Sequence, residues 1–155
     1  MKVRDVMSHF VQTCTPETNL ATVAMMMWDN DCGIVPVVQS DGKVTGMITD
    51  RDICMAVATK HRSPDDIAVG GVFSGKLYAC KPDDDMRNAL RTMGHGKVRR
   101  LPVINAFGAL EGILSMNDVV LHVGEAKCKK ATGITCEDAL RALKAICEHR
   151  EPAGT

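Results

Sequence analysis

Apolar residues recur at helical spacing in two stretches of this chain. In NLATVAMMMWDND (19–31) they are Leu20, Val23, Ala24 and Met27, and in DMRNALRTMGHG (85–96) they are Met86, Ala89, Leu90 and Met93. Steps of three and four residues predict an amphipathic helix in each, the second fraying early at its Gly-His-Gly end. Branched runs follow, IVPVV (34–38) and RLPVI (100–104). The turn residues SDGK and NAFG then lead into VTGMIT (44–49) and ALEGILS (109–115), which predicts two hairpins. DRDICMAVATKH (50–61) and MNDVVLHVGEAK (116–127) read as helices again. VQTC (11–14) and LYAC (77–80) read as short leading strands, each stopped by a proline two residues on.

The two halves keep one register. Shifting the sequence by 66 places Val3 on Val69, Val6 on Val72, Ser8 on Ser74, Cys14 on Cys80, Pro16 on Pro82 and Met27 on Met93. It continues with Pro36 on Pro102, Val37 on Val103, Gly42 on Gly108, Gly46 on Gly112, Asp52 on Asp118 and Val57 on Val123. Twelve identities in one unbroken register indicate duplication of one structural unit. The expected organisation is a first repeat at 1–60, a linker at 61–68, a second repeat at 69–126 and a tail at 127–155. The fold class is α/β in the α+β sense: two βαββα repeats that share a core, because one repeat alone buries too little surface, followed by a C-terminal helix. That helix, about 136–149, is expected to start at the cap Thr135 with Asp138 three residues on, and to pack through Ala139, Leu140, Leu143, Ile146 and Cys147. Trp28 is expected to anchor the two copies to each other. The methionines at 25–27 read as core.

Charge narrows the function. Lys plus Arg equals Asp plus Glu at 19 each, so no broad positive field invites a nucleic acid or an anionic membrane. The leading MKVRDVMSHF has no apolar run of the kind a signal peptide needs, and no segment approaches a membrane span, so the expectation is a cytoplasmic chain. Seven cysteines without CxxC spacing are then expected to be reduced thiols. Cys14 and Cys80 read as small buried apolar residues. Cys128, Cys136, Cys147 and His149 in the tail raise the alternative of a thiol or metal sensor, but their spacing matches no common zinc pattern.

The chemistry concentrates in GMITDRD (46–52) and GILSMND (112–118), where a glycine, a hydroxyl three residues on and an aspartate three further stand at a strand-to-helix junction. Thr49 with Asp52, and Ser115 with Asp118, have the spacing of a helix-capping box with Asp in place of Glu. The same position suits a ligand. Free amides and a partial positive charge at a helix start hold phosphate, a carboxylate accepts from a ribose diol, and glycine allows close approach.

These motifs, with RDVM, TCTPETNLATVAMMM, ACKPDDDMRNALRTM and the strand prolines, resemble a tandem pair of CBS domains, a Bateman module, over residues 1–125. The resemblance implies a pseudo-twofold pair of repeats with two clefts for adenosyl compounds: AMP, ADP, ATP, NAD or S-adenosylmethionine. It assigns ribose to Asp52 and Asp118, and phosphate to Thr49 and Ser115. The base falls to Met47, Thr13, Cys32, Gly33 and Ile34 in the first copy and to Ile113, Ala79 and Val98 in the second, with each cleft combining one copy's motif with the other's strands. KVRR (97–100) places Arg99 and Arg100 where they read as ligand-phosphate groups or as a solvated strand start. The second copy's leading segment, AVGGVFSGK, departs from the pattern. The implied role is a regulatory sensor, not an enzyme, with no required cofactor, acting through a homodimer or an unknown protein target. A remoter alternative is a non-catalytic fragment related to inosine monophosphate dehydrogenase, whose barrel a chain of this length cannot hold.

Overall fold

The structure, a computed structural model, describes residues 1–73, 75–123 and 133–148. Helix α1 (Leu20–Asp29), strands β1 (Ile34–Val38) and β2 (Val44–Thr49) and helix α2 (Asp50–Lys60) form the first set. Helix α3 (Met86–Gly96), strands β3 (Arg100–Ile104) and β4 (Leu110–Ser115) and helix α4 (Met116–Val123) repeat that order, and α5 (Cys136–Cys147) follows. The leading strands shrink to one residue each. Cys14 and Cys80 make single parallel bridges to Val37 and Val103, with hydrogen bonds to the carbonyls of Pro36 (3.0 Å) and Pro102 (3.2 Å). Proline two residues later removes the next ladder donor, so the pairing stops there.

In the first hairpin β1 and β2 run antiparallel, with Ile34 opposite Thr49 and Pro36 opposite Met47. Gly42 and Gly108 turn at φ of 82° and 84°, a conformation that costs a side-chain-bearing residue about 1 kcal/mol or more. Asp31 and Lys97, also 66 positions apart, adopt the left-handed conformation just beyond α1 and α3, so the helix ends are duplicated as faithfully as the turns.

Two compact units emerge, and they do not follow the two copies of the sequence. One comprises residues 10–77 and 106–110, the other 1–9, 78–105 and the described residues from 111 onward. The leading segments have changed places. Val3 and Arg4 donate their amides to Asp84 and Pro82, both at 3.0 Å, and Met86 donates to Met1. At the same offset Val69 and Gly70 donate to Thr18 (2.9 Å) and Pro16 (2.8 Å), and Leu20 donates to Ile67. The core of the first unit gathers Leu20, Val23, Val35, Val37, Ile48 and Val69; that of the second gathers Val3, Met86, Met93, Leu101, Val103 and Leu114. Each such fully buried side chain contributes about 1.5 to 3 kcal/mol by leaving water.

Helix α5 joins the second of these cores through Ala139, Ala142 and Ile146, with Leu143 half-buried beside them. Leu140 and Cys147, expected on that stripe, are exposed; the packed set follows strict i, i+3, i+4, i+7 spacing and leaves them at its edges. The Gly-His-Gly end of α3 does not fray early. A Cβ on Gly94 would lie 3.1 Å from that of Ala145, and one on Gly96 would lie 2.8 Å from the Tyr78 ring, so both glycines let neighbours approach closely. Trp28 is 83% exposed and is not a buried anchor, and of the three methionines only Met27 is in the core.

Candidate functional site

Alternation along the strands builds the site. In β2, Val44, Gly46 and Ile48 face the core, while Thr45, Met47 and Thr49 stay partly open; in β4, Gly112 and Leu114 are buried while Ile113 and Ser115 remain reachable. Register then sets Ile34 beside Thr49.

Thr49 caps α2. Its hydroxyl accepts from the Asp52 amide (3.1 Å) and donates to Asp52 Oδ2 (2.7 Å), and that oxygen also accepts from the Thr49 amide (2.9 Å). Ser115 and Asp118 repeat the arrangement at α4, at 3.2, 2.6 and 2.8 Å. The capping box is therefore formed at both motifs, and it uses one carboxylate oxygen of each aspartate. Oδ1 of Asp118 lies 3.5 Å from the Ser8 hydroxyl, and Oδ1 of Asp52 carries no protein hydrogen bond among the described residues. The same box occurs a third time, at Thr135 and Asp138 of α5, at 2.9, 3.0 and 3.1 Å. There Arg87 Nε donates to Asp138 at 3.2 Å, and these bonds hold the Asp138 carboxyl below the usual carboxylate range, the Thr135 amide first among them. Asp52 and Asp118 have no Lys or Arg at ion-pair distance among the described residues. Hydroxyl-to-aspartate spacing alone thus specifies a cap; what distinguishes the two motifs is the glycine on the strand and the unneutralised carboxylate.

Gly112 shows why glycine is needed. A Cβ there would sit 2.7 Å from the Ser8 carbonyl oxygen and 3.1 Å from Met7 Sδ, so the exchanged N-terminal segment runs directly against the strand of the motif. The Ser8 and Ile113 amides and carbonyls are mutually bonded, both at 2.9 Å.

The structure ties the candidate base residues to these helix starts within each copy. The carbonyl of Gly33 accepts from the Asp50 amide (3.1 Å), the first N–H of α2, and the carbonyl of Arg99 accepts from the Met116 amide (3.0 Å), the first of α4. Cys32, Ile34, Ala79 and Val98 are partly open beside them; Thr13 and Arg99 are exposed, and Arg100 is half-buried at the start of β3. Neither arginine forms an ion pair among the described residues. Cys32 and Gly33 also line a separate cavity of about 510 Å³ on the α1/α2 face, which includes neither Thr49 nor Asp52. Sequence reading did not find Ser8 or Asp50 as neighbours of the site; the identity of Ser8 with Ser74 at the common offset was the available signal for the first.

Burial pushes the Cys14 thiol up to about 11 and the Cys80 thiol up to about 12. Among the described residues no group of three or more His, Cys, Asp or Glu is placed to hold a metal, and no helix is long and apolar enough to cross a membrane. Cys128 and His149 lie outside the described residues.

The CBS domain profile matches residues 3–59 and 69–125. The chain belongs to the CBS domain family. It resembles a homoserine O-acetyltransferase of Methanohalophilus mahii (31% identical over 125 residues, 81% of this chain but only 25% of that one). It also resembles hypoxic response protein 1 of Mycobacterium tuberculosis (29% over 122 residues, 79% and 85%). A Methanopyrus kandleri relative is 27% identical, and the chain spans 61% of its length. Among solved structures, hypoxic response protein I with two coordinated zinc ions superposes with a TM-score of 0.70 (28% identity, 79% of this chain and 98% of that one). The CBS domain pair of protein MJ0100, in complex with 5'-methylthioadenosine and S-adenosyl-L-methionine, gives 0.73 (20%, 82% and 98%). CBSX2 in complex with AMP gives 0.70 (22%, 81% and 98%). At these last identities the likeness is one of fold: paired CBS repeats of mixed helix and sheet.

Proposed function

We propose that this CBS-pair protein is a regulatory sensor that binds adenosyl nucleotides beside its two motif helices and alters its contacts with a second copy or a target protein, without catalysing a reaction. The observation that carries the reading is the half-used carboxylate: Asp52 and Asp118 each commit Oδ2 to the helix cap, leaving Asp52 Oδ1 for a ribose hydroxyl and Asp118 Oδ1 with only a long contact to the Ser8 hydroxyl that a ribose hydroxyl would replace. The complexes of the MJ0100 pair and of CBSX2 support the ligand class. AMP, ADP, ATP, NAD and S-adenosylmethionine all share the ribose and adenine that Asp52, Asp118, Met47 and Ile113 would meet. The hydroxyls of Thr49 and Ser115 would face phosphate, the first amides of α2 and α4 being already donated to the Gly33 and Arg99 carbonyls. Arg99 and Arg100 favour a longer phosphate chain at the second motif, where the first copy has Gly33 and Ile34.

The nucleotide serves here as a regulatory ligand, not a cofactor. Its effect requires different affinity for two arrangements of the protein. A homodimer is the expected assembly, and Val120 and Leu121 of α4 with Leu140 of α5 offer exposed apolar surface for it. The expected compartment is the cytoplasm.

Calorimetry against AMP, ADP, ATP, NAD and S-adenosylmethionine tests the reading, with Asp52→Asn plus Asp118→Asn as control. Saturable heat with at least one nucleotide, lost in the double variant, supports it. Absence of heat and of any melting shift at millimolar nucleotide removes it.

A further inference from the structure

Helices α3 and α5 belong to one compact unit, and where they pack they leave a cavity of about 490 Å³ between them. Its floor is apolar: Leu90 and Ala142 are buried, and Ala145 lies against Gly94. A Cβ on Gly94 would come within 3.1 Å of that of Ala145, so the glycine keeps the groove open. Its rim is basic. Arg87, Arg91, His95 and Arg141 line it, and Asp138 is the one acidic side chain that does so among the described residues.

Asp138 is already matched. Arg87 gives it Nε at 3.2 Å and sends its other arm to the Gly133 carbonyl at 3.1 Å. Arg91 donates to the neutral amide oxygen of Asn88 and forms no ion pair among the described residues. Arg141 pairs with Glu137 one turn earlier on α5, but the two side chains are 74% and 81% exposed, so the pair holds by only about 0.3 to 0.5 kcal/mol and yields readily to another anion. Two guanidinium groups are thus available beside an apolar floor.

Neither composition nor the repeat accounts for this rim. Basic and acidic residues balance at 19 each over the chain. At the common offset the first copy has Ala21, Met25 and Asp29 where the second has Arg87, Arg91 and His95, and Trp28 where the second has Gly94. The groove exists only with α5, which lies beyond the CBS profile match at 69–125.

We propose that the α3/α5 groove binds a small organic anion, an apolar body the size of a short acyl chain or an aromatic ring system that ends in a carboxylate or phosphate. Guanidinium groups recognise such heads through paired, charge-assisted hydrogen bonds. The volume lies within the roughly 300 to 1,000 Å³ typical of small-molecule sites. An inorganic anion would leave the floor unfilled, and a neutral lipid would leave the arginines unused. The site shares no residue with the two adenosyl motifs.

The probe is anilinonaphthalene sulfonate, an anion with an aromatic body, added to the full-length protein. Its emission should rise saturably and be displaced by octanoate, octyl phosphate or both, the stronger competitor identifying the head group, but not by octanol, inorganic phosphate or AMP at the same concentration. Arg91→Gln with Arg141→Gln should weaken the probe by about tenfold or more. Both side chains are exposed, so this variant should melt close to wild type. No saturable signal up to millimolar probe, equal displacement by octanol and octanoate, or unchanged affinity in the folded variant would each overturn the proposal. Displacement by AMP would overturn it too, by placing the probe at the adenosyl motifs, whereas a protein that binds no nucleotide leaves every other arm of the test standing.

Discussion

Asp118 accepts both the amide and the hydroxyl of Ser115 on a single carboxylate oxygen, and turns the other toward the Ser8 hydroxyl. In the proposed site, capping and ribose binding would therefore use different oxygens. Alanine at Asp52 or Asp118 should remove about 0.5 to 2 kcal/mol of helix capping together with the proposed ribose contact. Asparagine separates them. Its carbonyl still accepts from the Thr49 or Ser115 amide, while the charge-assisted bonds to the diol, about 1.5 to 3 kcal/mol, are weakened. Asp52→Asn and Asp118→Asn should melt within a few degrees of wild type, yet lose about ten- to hundredfold in nucleotide affinity, read by thermal melting and calorimetry.

The third box is the internal control. Asp138→Ala should lower stability by about 0.5 to 2 kcal/mol and leave nucleotide affinity unchanged. Its carboxyl is held low in the folded protein by Thr135 and Arg87, so its contribution is present above the ordinary aspartate pKa and fades as pH falls through the lowered one. Denaturant melts at pH 7 and pH 3 should differ less in Asp138→Asn than in wild type.

Arg99→Ala with Arg100→Ala should weaken ATP more than AMP, because these guanidinium groups would meet the outer phosphates. Titration of both nucleotides checks it; equal losses would remove the arginines from the site and leave the aspartates in it.

Thiol chemistry should divide by burial. Cys54, Cys136 and Cys147 are exposed, whereas Cys14 and Cys80 are buried with thiols pushed up to about 11 and about 12. Alkylation at pH 8 followed by peptide mapping should label the first three and spare the last two until denaturant is added. These raised values also mean that the stability of the neutral thiols is fully present below about pH 8.5 and is lost as pH rises through the folded values.

Gly112→Ala should destabilise by about 1 to 3 kcal/mol, since the new methyl meets a backbone oxygen that cannot move freely. Gly75→Ala, with open space around it, should have little effect.

Much of this was legible from spacing. Leu20, Val23 and Met27, and the Gly-x-x-[Ser/Thr]-x-x-Asp pair, follow local rules of period and capping, so helices, hairpins and motifs could be read directly. Val3 and Val69 could not be placed, because an offset of 66 shows that two segments are alike and is silent on which copy each packs against. Trp28 misled for a related reason. Its size suggests burial, but α1 already fills its core stripe with Leu20, Val23 and Met27, one hundred degrees away for each residue of displacement. Gly94 and Gly96 look like helix breakers until Ala145 and Tyr78 are seen against them.

The exchange of leading segments sets a timetable for the newborn chain. Residues 1–9 leave the ribosome well before their partners, Pro82, Asp84 and Ile113, which follow at roughly 5 to 20 residues per second. For several seconds Val3, Val6 and Met7 have no core to enter, while residues 10–77 can begin to assemble. A cut at the 61–68 linker would strand each leading segment with the wrong fragment, so the halves should recover their folds only when mixed.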